Sequence, residues 1–246
     1  MEIDLPKARG LFITGTDTDV GKTVVAGGIA KILSQGSPPQ QVGVFKPVAS
    51  GCRKQREGLV NDDAEFLANC ANCQFPLSVV NPVGFITPAA PVVCEEVEHR
   101  RVDFEQITTA YKYICQNSDV VIVEGIGGLL VPVSSGVDVL EMAKWFDLPV
   151  VVVARPGLGT INHTLLTIDA VRKVGLDLAG VVINGYDVSK ADTAIETAPE
   201  VIAQWGDTQI LSIVPFDEDC DVANSRLGDA ILETLQGCDW AQMAGL

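Results

Sequence analysis

The sequence predicts an α/β protein, a single domain over residues 1–246 in which helices flank a parallel sheet. Apolar strand-like runs alternate with helix-like segments along the chain, and such alternation builds a parallel sheet through right-handed crossovers. A glycine-rich loop that ends in Gly-Lys-Thr follows the first apolar run. The chain of 246 residues, 47% of them hydrophobic, can fill one large core, and nothing in it requires a second domain.

Hydrophobic periodicity indicates the type of each element. Residues 22–34 carry valine, isoleucine and leucine at helical spacing, and GSPPQQ interrupts them. DVVIVEG and PVVVVA are unbroken apolar runs, typical of strands buried on both faces of a parallel sheet. Residues 75–101 are rich in proline and are expected to be irregular. The other predicted strands are GLFITG, VGVFK, LAGVVING and TQILSIVP, and the other predicted helices are VNDDAEFLANC, DFEQITTAYKYICQN with Asp103 at its start, INHTLLTIDAVRKVG and residues 223–236.

The composition argues against several kinds of partner. The formal net charge is −15, which disfavours nucleic acid because that affinity depends on Lys and Arg side chains that neutralise phosphates. No apolar run reaches the ~20 residues of a membrane span, and the first ten residues lack a signal-peptide core. Seven cysteines, an odd number, are scattered along the chain, so we expect a cytoplasmic protein with reduced thiols. The CANC run at 70–73 has no second Cys or His pair nearby and is interpreted as structural.

The stretch LFITGTDTDVGKT predicts a phosphate-binding loop, and with it a P-loop NTPase-like fold. An apolar strand before Gly-Lys-Thr and a helix after it place backbone N–H groups and the positive end of the helix dipole at an anion. Lys22 adds a positive charge, and Thr23 offers a hydroxyl oxygen to Mg²⁺. Five residues separate Gly15 from Gly21, whereas the usual loop has four at this point. The extra residue predicts a bulge at residues 16–18.

Two acidic residues, Asp17 and Asp19, lie in this loop although it is expected to hold phosphates. A carboxylate repels a phosphate but attracts an ammonium group or a hydrated metal ion. We therefore predict that the bulge extends past the phosphates toward a second substrate.

Charged side chains end the segments that should neighbour the loop. Glu124 ends DVVIVEG, a strand whose other residues are almost all apolar. Asp62 and Asp63 precede a predicted helix, where one of them can cap the helix while the other binds metal. Lys46 ends VGVFK and is expected at the same edge of the sheet as Lys22. Carboxylates at this edge would supply the further oxygen ligands that a magnesium site needs.

Seven stretches, taken in order, resemble the dethiobiotin synthetases of biotin synthesis: GTDTDVGKT, FKPVASG, NDDA, NPVGF, VEGIGGLLVP, LGTINHTLLT and LAGVVING. They span about 70% of the chain, and the C-terminal fifth is only loosely similar. The resemblance implies an ATP-dependent ligase. In that family 7,8-diaminopelargonate and CO₂ form a carbamate, ATP phosphorylates it to a carbamic–phosphoric anhydride, and the second amine closes the ring as phosphate leaves.

The resemblance also implies roles for individual residues. Lys22 and Lys46 would be catalytic, because both the carbamate and the γ-phosphoryl group are anionic and must be brought together. Mg²⁺ would be held by Thr23, Asp63 and Glu124, and the diamine and its carbamate would lie near Thr18 and Ser50. The ATP-binding residues implied in this way are Asp19, Val20, Gly21, Lys22, Thr23, Asp63, Glu124, Gly125, Ile126, Gly127, Asn184, Gly185, Pro215, Phe216 and Asp217.

Two further expectations come from the resemblance. Thr160 and Asn162 of LGTINH lie at a predicted helix start, a suitable position for a carboxylate, and in the family this element binds the substrate carboxylate in the other subunit's site. A homodimer is therefore expected. Asn184 can pair with an adenine edge, although this chain has Asn-Gly where the family usually has Asn-Asp, so selection of the base is open.

Three other functions compete with the ligase. Partitioning-type P-loop ATPases carry a lysine five residues before the Gly-Lys-Thr lysine, whereas this chain has Asp17 there. Amidases of the cobyrinate type have a similar loop but need an additional glutaminase domain, for which the chain is too short. A nucleotide-binding module without catalysis would not need the complete set of metal ligands.

Overall fold

A computed structural model describes residues 3–56 and 58–246, and its centre is a parallel sheet of six strands in the order β12-β11-β10-β1-β7-β2. The strands are β1 (Gly10–Gly15), β2 (Val42–Phe45), β3 (Val48–Ala49), β4 (Arg53–Gln55), β5 (Gly58–Val60), β6 (Val83–Gly84), β7 (Val120–Gly128), β8 (Pro132–Ser134), β9 (Val137–Asp138), β10 (Val150–Ala154), β11 (Leu178–Tyr186) and β12 (Ile210–Pro215). The helices are α1 (Lys22–Gln35), α2 (Asp62–Cys70), α3 (Leu77–Val80), α4 (Pro91–Glu98), α5 (Phe104–Gln116), α6 (Val139–Phe146), α7 (Thr160–Lys173), α8 (Thr193–Gly206), α9 (Asp229–Leu235) and α10 (Trp240–Met243), with a 3₁₀ turn at Val188–Lys190. The predicted α/β class and parallel sheet are confirmed.

Both faces of the sheet are buried, which explains the unbroken apolar runs. In β10, Val150 and Val152 belong to one core cluster, while Val151 and Val153 belong to the cluster on the opposite face. Successive side chains of a strand point to opposite faces, so an unbroken valine run fills two cores at once. Helices cover each face, and among the described residues no helix is both long and apolar enough to cross a membrane.

Two stretches differ from the sequence-based prediction. The predicted helix over 223–236 is wrong in its first part, because α9 begins only at Asp229. Asp221 and Arg226 exchange backbone hydrogen bonds of 2.8 Å, and the Asp221 carboxylate accepts the backbone N–H of Asn224 at 3.1 Å. Such side-chain acceptors stabilise turns at the expense of a helix.

The expectation that residues 75–101 are irregular is wrong in part, because α3, β6 and α4 lie inside them. Two of their four prolines occur at helix starts: Pro76 is the cap of α3 and Pro91 is the first residue of α4. A proline is tolerated there because the first helical N–H has no intrahelical partner. Helices α6 and α8 were not predicted, and Pro199 inside α8 weakens its helical signature.

The strand order places three functional segments side by side. Strand β7 lies between β1 and β2, and its Glu124 pairs in register with Ile13 of β1. Beyond Phe45 the chain leaves the main sheet, and β3 pairs in parallel with β6 to form a small separate sheet. The phosphate loop, Glu124 and Lys46 therefore meet at the carboxyl edge, where open α/β sheets bind their ligands.

Candidate active site

A cavity of about 710 Å³ opens at this carboxyl edge between the phosphate loop, the start of α2 and the loop after β7. It brings together most of the predicted site residues although they are far apart in the chain. Those that line it are Thr18, Asp19, Gly21, Lys22, Thr23, Lys46, Ser50, Asp63, Glu124, Ile126 and Gly127. The backbone segment 88–90, which was not predicted, lines its outer side.

The acids of the phosphate loop have a local role in the structure. The Lys22 ammonium donates a 2.9 Å hydrogen bond to the backbone carbonyl of Asp17, and the Asp17 carboxylate accepts the Thr18 N–H at 2.7 Å. Asp19 has a left-handed backbone with φ of 59°, which Asp tolerates better than most residues. The loop is thus folded around the Lys22 side chain. Burial lowers the pKa of Lys22, an effect that Glu124 opposes.

Lys46 lies at the centre of a buried network of charges. Its ammonium is 2.6 Å from the Glu124 Oε1 and 2.8 Å from the Asp63 Oδ2. The Thr23 hydroxyl donates to the same Glu124 oxygen at 2.9 Å. Lys46 and Glu124 are 3% and 0% exposed, so their attraction is poorly screened by water.

The pKa values in this network follow from burial and from the opposite charges. Burial alone would lower the pKa of Lys46, but the Glu124 and Asp63 carboxylates outweigh it and raise that pKa. Burial is also the largest effect on Glu124 and raises its pKa, opposed by Lys46. At Asp63 burial is the largest single effect and would raise the pKa, but Lys46, Thr23 and Lys22 together outweigh it, and the pKa is lowered. The network therefore holds an ammonium group against at least one ionised carboxylate.

The oxygens of Thr23, Asp63 and Glu124 form a set that fits Mg²⁺, which prefers hard oxygen ligands and usually takes only one or two carboxylates from the protein. The buried Glu124 Oε2 has no hydrogen-bond partner among the described residues, and an orphaned buried carboxylate oxygen is costly unless a ligand satisfies it. Within residues 3–56 and 58–246 no cluster of three or more His, Cys, Asp or Glu side chains could hold a metal. The set is therefore suited to a metal ion whose remaining ligands are phosphate and water oxygens, and not to one that is coordinated by the protein alone.

The start of α2 differs from the prediction that Asp62 or Asp63 caps this helix. The cap is Asn61, whose side chain accepts the Asp63 N–H at 3.1 Å. Asp62 instead pairs with Arg53 of the β4–β5 hairpin, so its carboxylate contacts that side chain and not Lys46. Asn61 was missed, although an Asn directly before an acidic helix start is a recognised capping signal.

Most of the remaining residues predicted to bind ATP lie at or just after the ends of β11 and β12. The Asn184 side-chain amide donates to the Val20 carbonyl at 3.1 Å and so contacts the phosphate loop. Phe216 follows β12 with its ring 57% exposed, and the Lys190 ammonium lies 5.7 Å from the ring centroid. Gly185, Pro215 and Asp217 lie in the same region, and Gly125 lies next to Glu124 in β7.

The close contact between Gly21 and Asn184 leads to a first prediction. Gly21 has a φ of 90°, and a Cβ there would lie 2.0 Å from the Asn184 Nδ2. We expect Gly21→Ala to incur the left-handed backbone cost of about 1–2 kcal/mol and in addition to lose the Asn184 hydrogen bond, worth about 1 kcal/mol. It should also weaken nucleotide binding. Urea unfolding and nucleotide titration measure the two effects.

Gly175→Ala is the matched control for this prediction. Gly175 has a similar φ of 79°, but nothing lies within 4 Å of a Cβ built there. It should therefore show the backbone cost alone and bind nucleotide normally. Equal losses of stability in the two variants would contradict a packing role for Gly21.

The LGTINH segment does not reach the cavity of its own chain. Thr160 begins α7 after Gly159 and is 1% exposed, and its hydroxyl has no hydrogen-bond partner within the part of the chain that the structure describes. Asn162 is exposed in the first turn of the helix, and the neighbouring Leu158 is 85% exposed. Neither Thr160 nor Asn162 lines the Lys22–Lys46 cavity.

Comparison with known proteins identifies the family of this chain. A family model described as an AAA domain matches residues 9–224. The ATP-dependent dethiobiotin synthetase of Bacillus subtilis (strain 168) is 37% identical over 84% of this chain and 87% of its own length. That of Anaeromyxobacter sp. (strain K) is 34% identical over 93% and 99%. The chain belongs to the dethiobiotin synthetase family. The resemblance noted from the sequence motifs is thereby confirmed.

Solved structures outside the dethiobiotin synthetases share the fold. The putative plasmid partition protein of Borrelia burgdorferi bound to AMPPNP superimposes with a TM-score of 0.59 at 14% identity, over 97% of this chain and 98% of that chain. A ParA family ATPase from Chlorobium tepidum gives a TM-score of 0.55 at 14% identity, over 97% and 100%. At this identity the likeness concerns the fold alone, so it lends no weight to a partitioning function over that of a dethiobiotin synthetase.

Proposed function

We propose that this protein is an ATP-dependent dethiobiotin synthetase that converts 7,8-diaminopelargonate, CO₂ and ATP into dethiobiotin, ADP and phosphate. The observation that carries the proposal is the convergence of Lys22 and Lys46 on one cavity in a chain related to such synthetases over most of its length. Two ammonium groups suit a reaction that must bring together two anions, a carbamate and a γ-phosphoryl group.

The first half of the proposed reaction joins the diamine to CO₂ and then to phosphate. One amine attacks the carbon of CO₂ and loses a proton, which gives a carbamate. Thr18 and Ser50, which line the same cavity as Lys46, are proposed to position it. A carbamate oxygen then attacks the γ-phosphorus, the bond to the β-phosphate oxygen breaks, and ADP leaves. Lys22 and Lys46 neutralise the charge on the transferred group.

Ring closure needs no nucleophile from the protein. The second amine attacks the carbamate carbon of the carbamic–phosphoric anhydride, its proton is lost, and phosphate leaves with the electrons of the C–O bond. The protein's contribution is to hold the amine against the anhydride and to keep the leaving phosphate bound to the two ammonium groups. Lys46 contacts Glu124 and Asp63 in the structure, so its contact with substrate requires an exchange of partners.

The nucleotide is proposed to lie along the phosphate loop, with its phosphates at the N–H groups of residues 19–23 and at Lys22. Asn184, Gly185 and the segment 215–217 would surround the base, with stacking on the exposed Phe216 ring. Mg²⁺, held by Thr23, Asp63 and Glu124, would neutralise charge on the β- and γ-phosphates. The backbone of Gly125, Ile126 and Gly127 would border the γ-phosphate.

The proposal is tested by incubating the protein with Mg-ATP, bicarbonate and 7,8-diaminopelargonate. Mass spectrometry should detect the ring-closed product, and phosphate release should match it one to one. Release of phosphate that does not depend on the diamine would instead indicate an ATPase switch. Absence of the cyclic product would overturn the proposed function.

The proposed metal ligands lead to a second prediction. Thr23→Val keeps the shape of the side chain but removes the hydroxyl oxygen that would bind the metal. Glu124→Gln keeps the shape of the side chain but removes its negative charge. We expect the Mg²⁺ concentration for half-maximal activity to rise by about tenfold or more, while far-UV circular dichroism stays unchanged. Thr23→Ser retains the hydroxyl and should behave like the wild type. If Thr23→Val needs no more Mg²⁺ than Thr23→Ser, the metal assignment is wrong.

We further propose a homodimer in which the start of α7 completes the partner's site by binding the substrate carboxylate. The support is an exposed polar and apolar surface, formed by Asn162, Leu158 and Leu166, that has no function in its own cavity. A helix N-terminus with free N–H groups suits a carboxylate.

The dimer proposal gives a third prediction. We expect sedimentation of a dimer, and Asn162→Ala should raise the KM for the diamine while leaving the KM for ATP unchanged. Asp169→Ala, on the same helix but paired only with Lys173 at the surface, is the control and should change neither. A fully active monomer would contradict this arrangement.

A further inference from the structure

The main chain of Lys46 is held from outside the main sheet. Strand β2 ends at Phe45, so the next residue has no ladder partner in β7. The Lys46 N–H instead donates to the Val80 carbonyl at 2.8 Å, and its carbonyl accepts the Asn81 side-chain amide at 2.7 Å. Both polar groups of the Lys46 backbone are thus fixed by two consecutive residues of the NPVGF region.

Asn81 is suited to this contact by burial and by chemistry. It is 8% exposed, and the same Nδ2 also donates to the Val83 carbonyl at 3.2 Å. The two protons of one amide nitrogen therefore tie Lys46 to β6, the strand that pairs with β3. An Asp side chain has the same shape but would turn acceptor oxygens toward two carbonyls.

We propose that Asn81 is a positioning residue that sets where the Lys46 ammonium lies between Glu124 and Asp63. It acts through the Lys46 carbonyl and does not line the cavity. A displacement of about 1 Å in a group that must meet the transferred phosphoryl is enough to cost about 100-fold in rate. The activity readout of this proposal rests on the proposed synthetase function.

The experiment compares Asn81→Ala and Asn81→Asp with the wild type in steady-state kinetics and in Mg-ATP titration. We expect kcat to fall by about 10- to 100-fold in both variants, with the Kd of Mg-ATP within about twofold of the wild type. Asn117→Ala is the matched control, because Asn117 also donates to a backbone carbonyl, that of Tyr113, but at an exposed helix end. It should leave kcat unchanged.

A double-mutant cycle separates positioning from a general structural effect. If Asn81 acts through Lys46, then Asn81→Ala should cause no further loss of kcat in a Lys46→Ala background, since coupled residues are not additive. An undiminished loss in that background, or a wild-type kcat for Asn81→Ala, would overturn the proposal.

A crystal structure of Asn81→Ser gives a test that needs no activity and a milder change should Asn81→Ala fail to fold. We expect the Lys46 ammonium to be displaced from Glu124, and an unmoved ammonium would overturn the proposal. Should the wild type make no dethiobiotin, the synthetase function fails while this structural test still decides the role of Asn81.

Discussion

Lys46→Gln is expected to lower the rate of ring formation by about 100- to 1000-fold, while Mg-ATP still binds. The reason is that Lys46 is expected to neutralise charge as the carbamate meets the γ-phosphoryl group, and losing one such charge-assisted contact typically costs about 3–4 kcal/mol in the transition state. A contact made only in the transition state lowers kcat and leaves ground-state binding in place. Quench-flow measurement of product, with nucleotide titration beside it, checks both parts.

The buried network adds a stability effect to this variant. Without the ammonium, Glu124 and Asp63 lose their shared counter-charge, and breaking a buried pair typically costs about 3–5 kcal/mol. Lys46→Gln/Glu124→Gln should recover part of that stability without recovering activity. Lys144→Gln, at a surface pair with Glu141, is the control and should change stability by no more than about 1 kcal/mol. A Lys46→Gln variant with the wild-type rate would remove this lysine from the mechanism.

Lys22→Gln is expected to lose nucleotide affinity as well as turnover. Lys22 begins α1, and among the described residues its ammonium has only the Asp17 carbonyl as a hydrogen-bond partner. A hydrogen bond to a charged group contributes about 1.5–3 kcal/mol, so the Kd of Mg-ATP should rise by about 10- to 150-fold. Isothermal titration with a non-hydrolysable nucleotide measures this change.

The two lysine variants serve as controls for each other. Lys46→Gln should retain nucleotide affinity, whereas Lys22→Gln should lose it. If both variants bind Mg-ATP equally well, the division of roles between the two lysines is wrong. Lys31→Gln changes a lysine on the same helix as Lys22 but far from the cavity, and it should leave the Kd unchanged.

The sequence predicted the parts of this site that depend on local chemistry. A buried strand, a glycine-rich turn and a helix are encoded within the first 35 residues, so the phosphate loop could be recognised directly. Glu124 stood out because it is the single carboxylate in an otherwise apolar strand, although the strand does not end there as expected but continues to Gly128. Parallel topology then placed Lys46 at the same edge without any knowledge of distances.

What the sequence could not predict depends on contacts between distant residues. Lys46 and Glu124 are 78 positions apart, and no local pattern reports that one ammonium lies between two carboxylates. From the sequence, Asp62 could either cap α2 or bind metal. Its partner, Arg53, lies on a short hairpin that hydrophobic periodicity does not reveal. Asn81 lay in a stretch expected to be irregular, where its amide has no assigned partner until the fold is known.

The lining of the cavity comes from two parts of the fold, the main sheet and the small β3–β6 sheet. Lys22 and Thr23 belong to the loop that follows the first strand of the main sheet, whereas Lys46 and Ser50 are carried by a segment that pairs with residues 83–84 outside that sheet. The side proposed to bind the amine substrate can therefore change in sequence without altering the loop proposed to bind the nucleotide. An engineer who seeks a different cyclic urea would vary residues 47–51 and 86–90 first and leave residues 15–23 as they are.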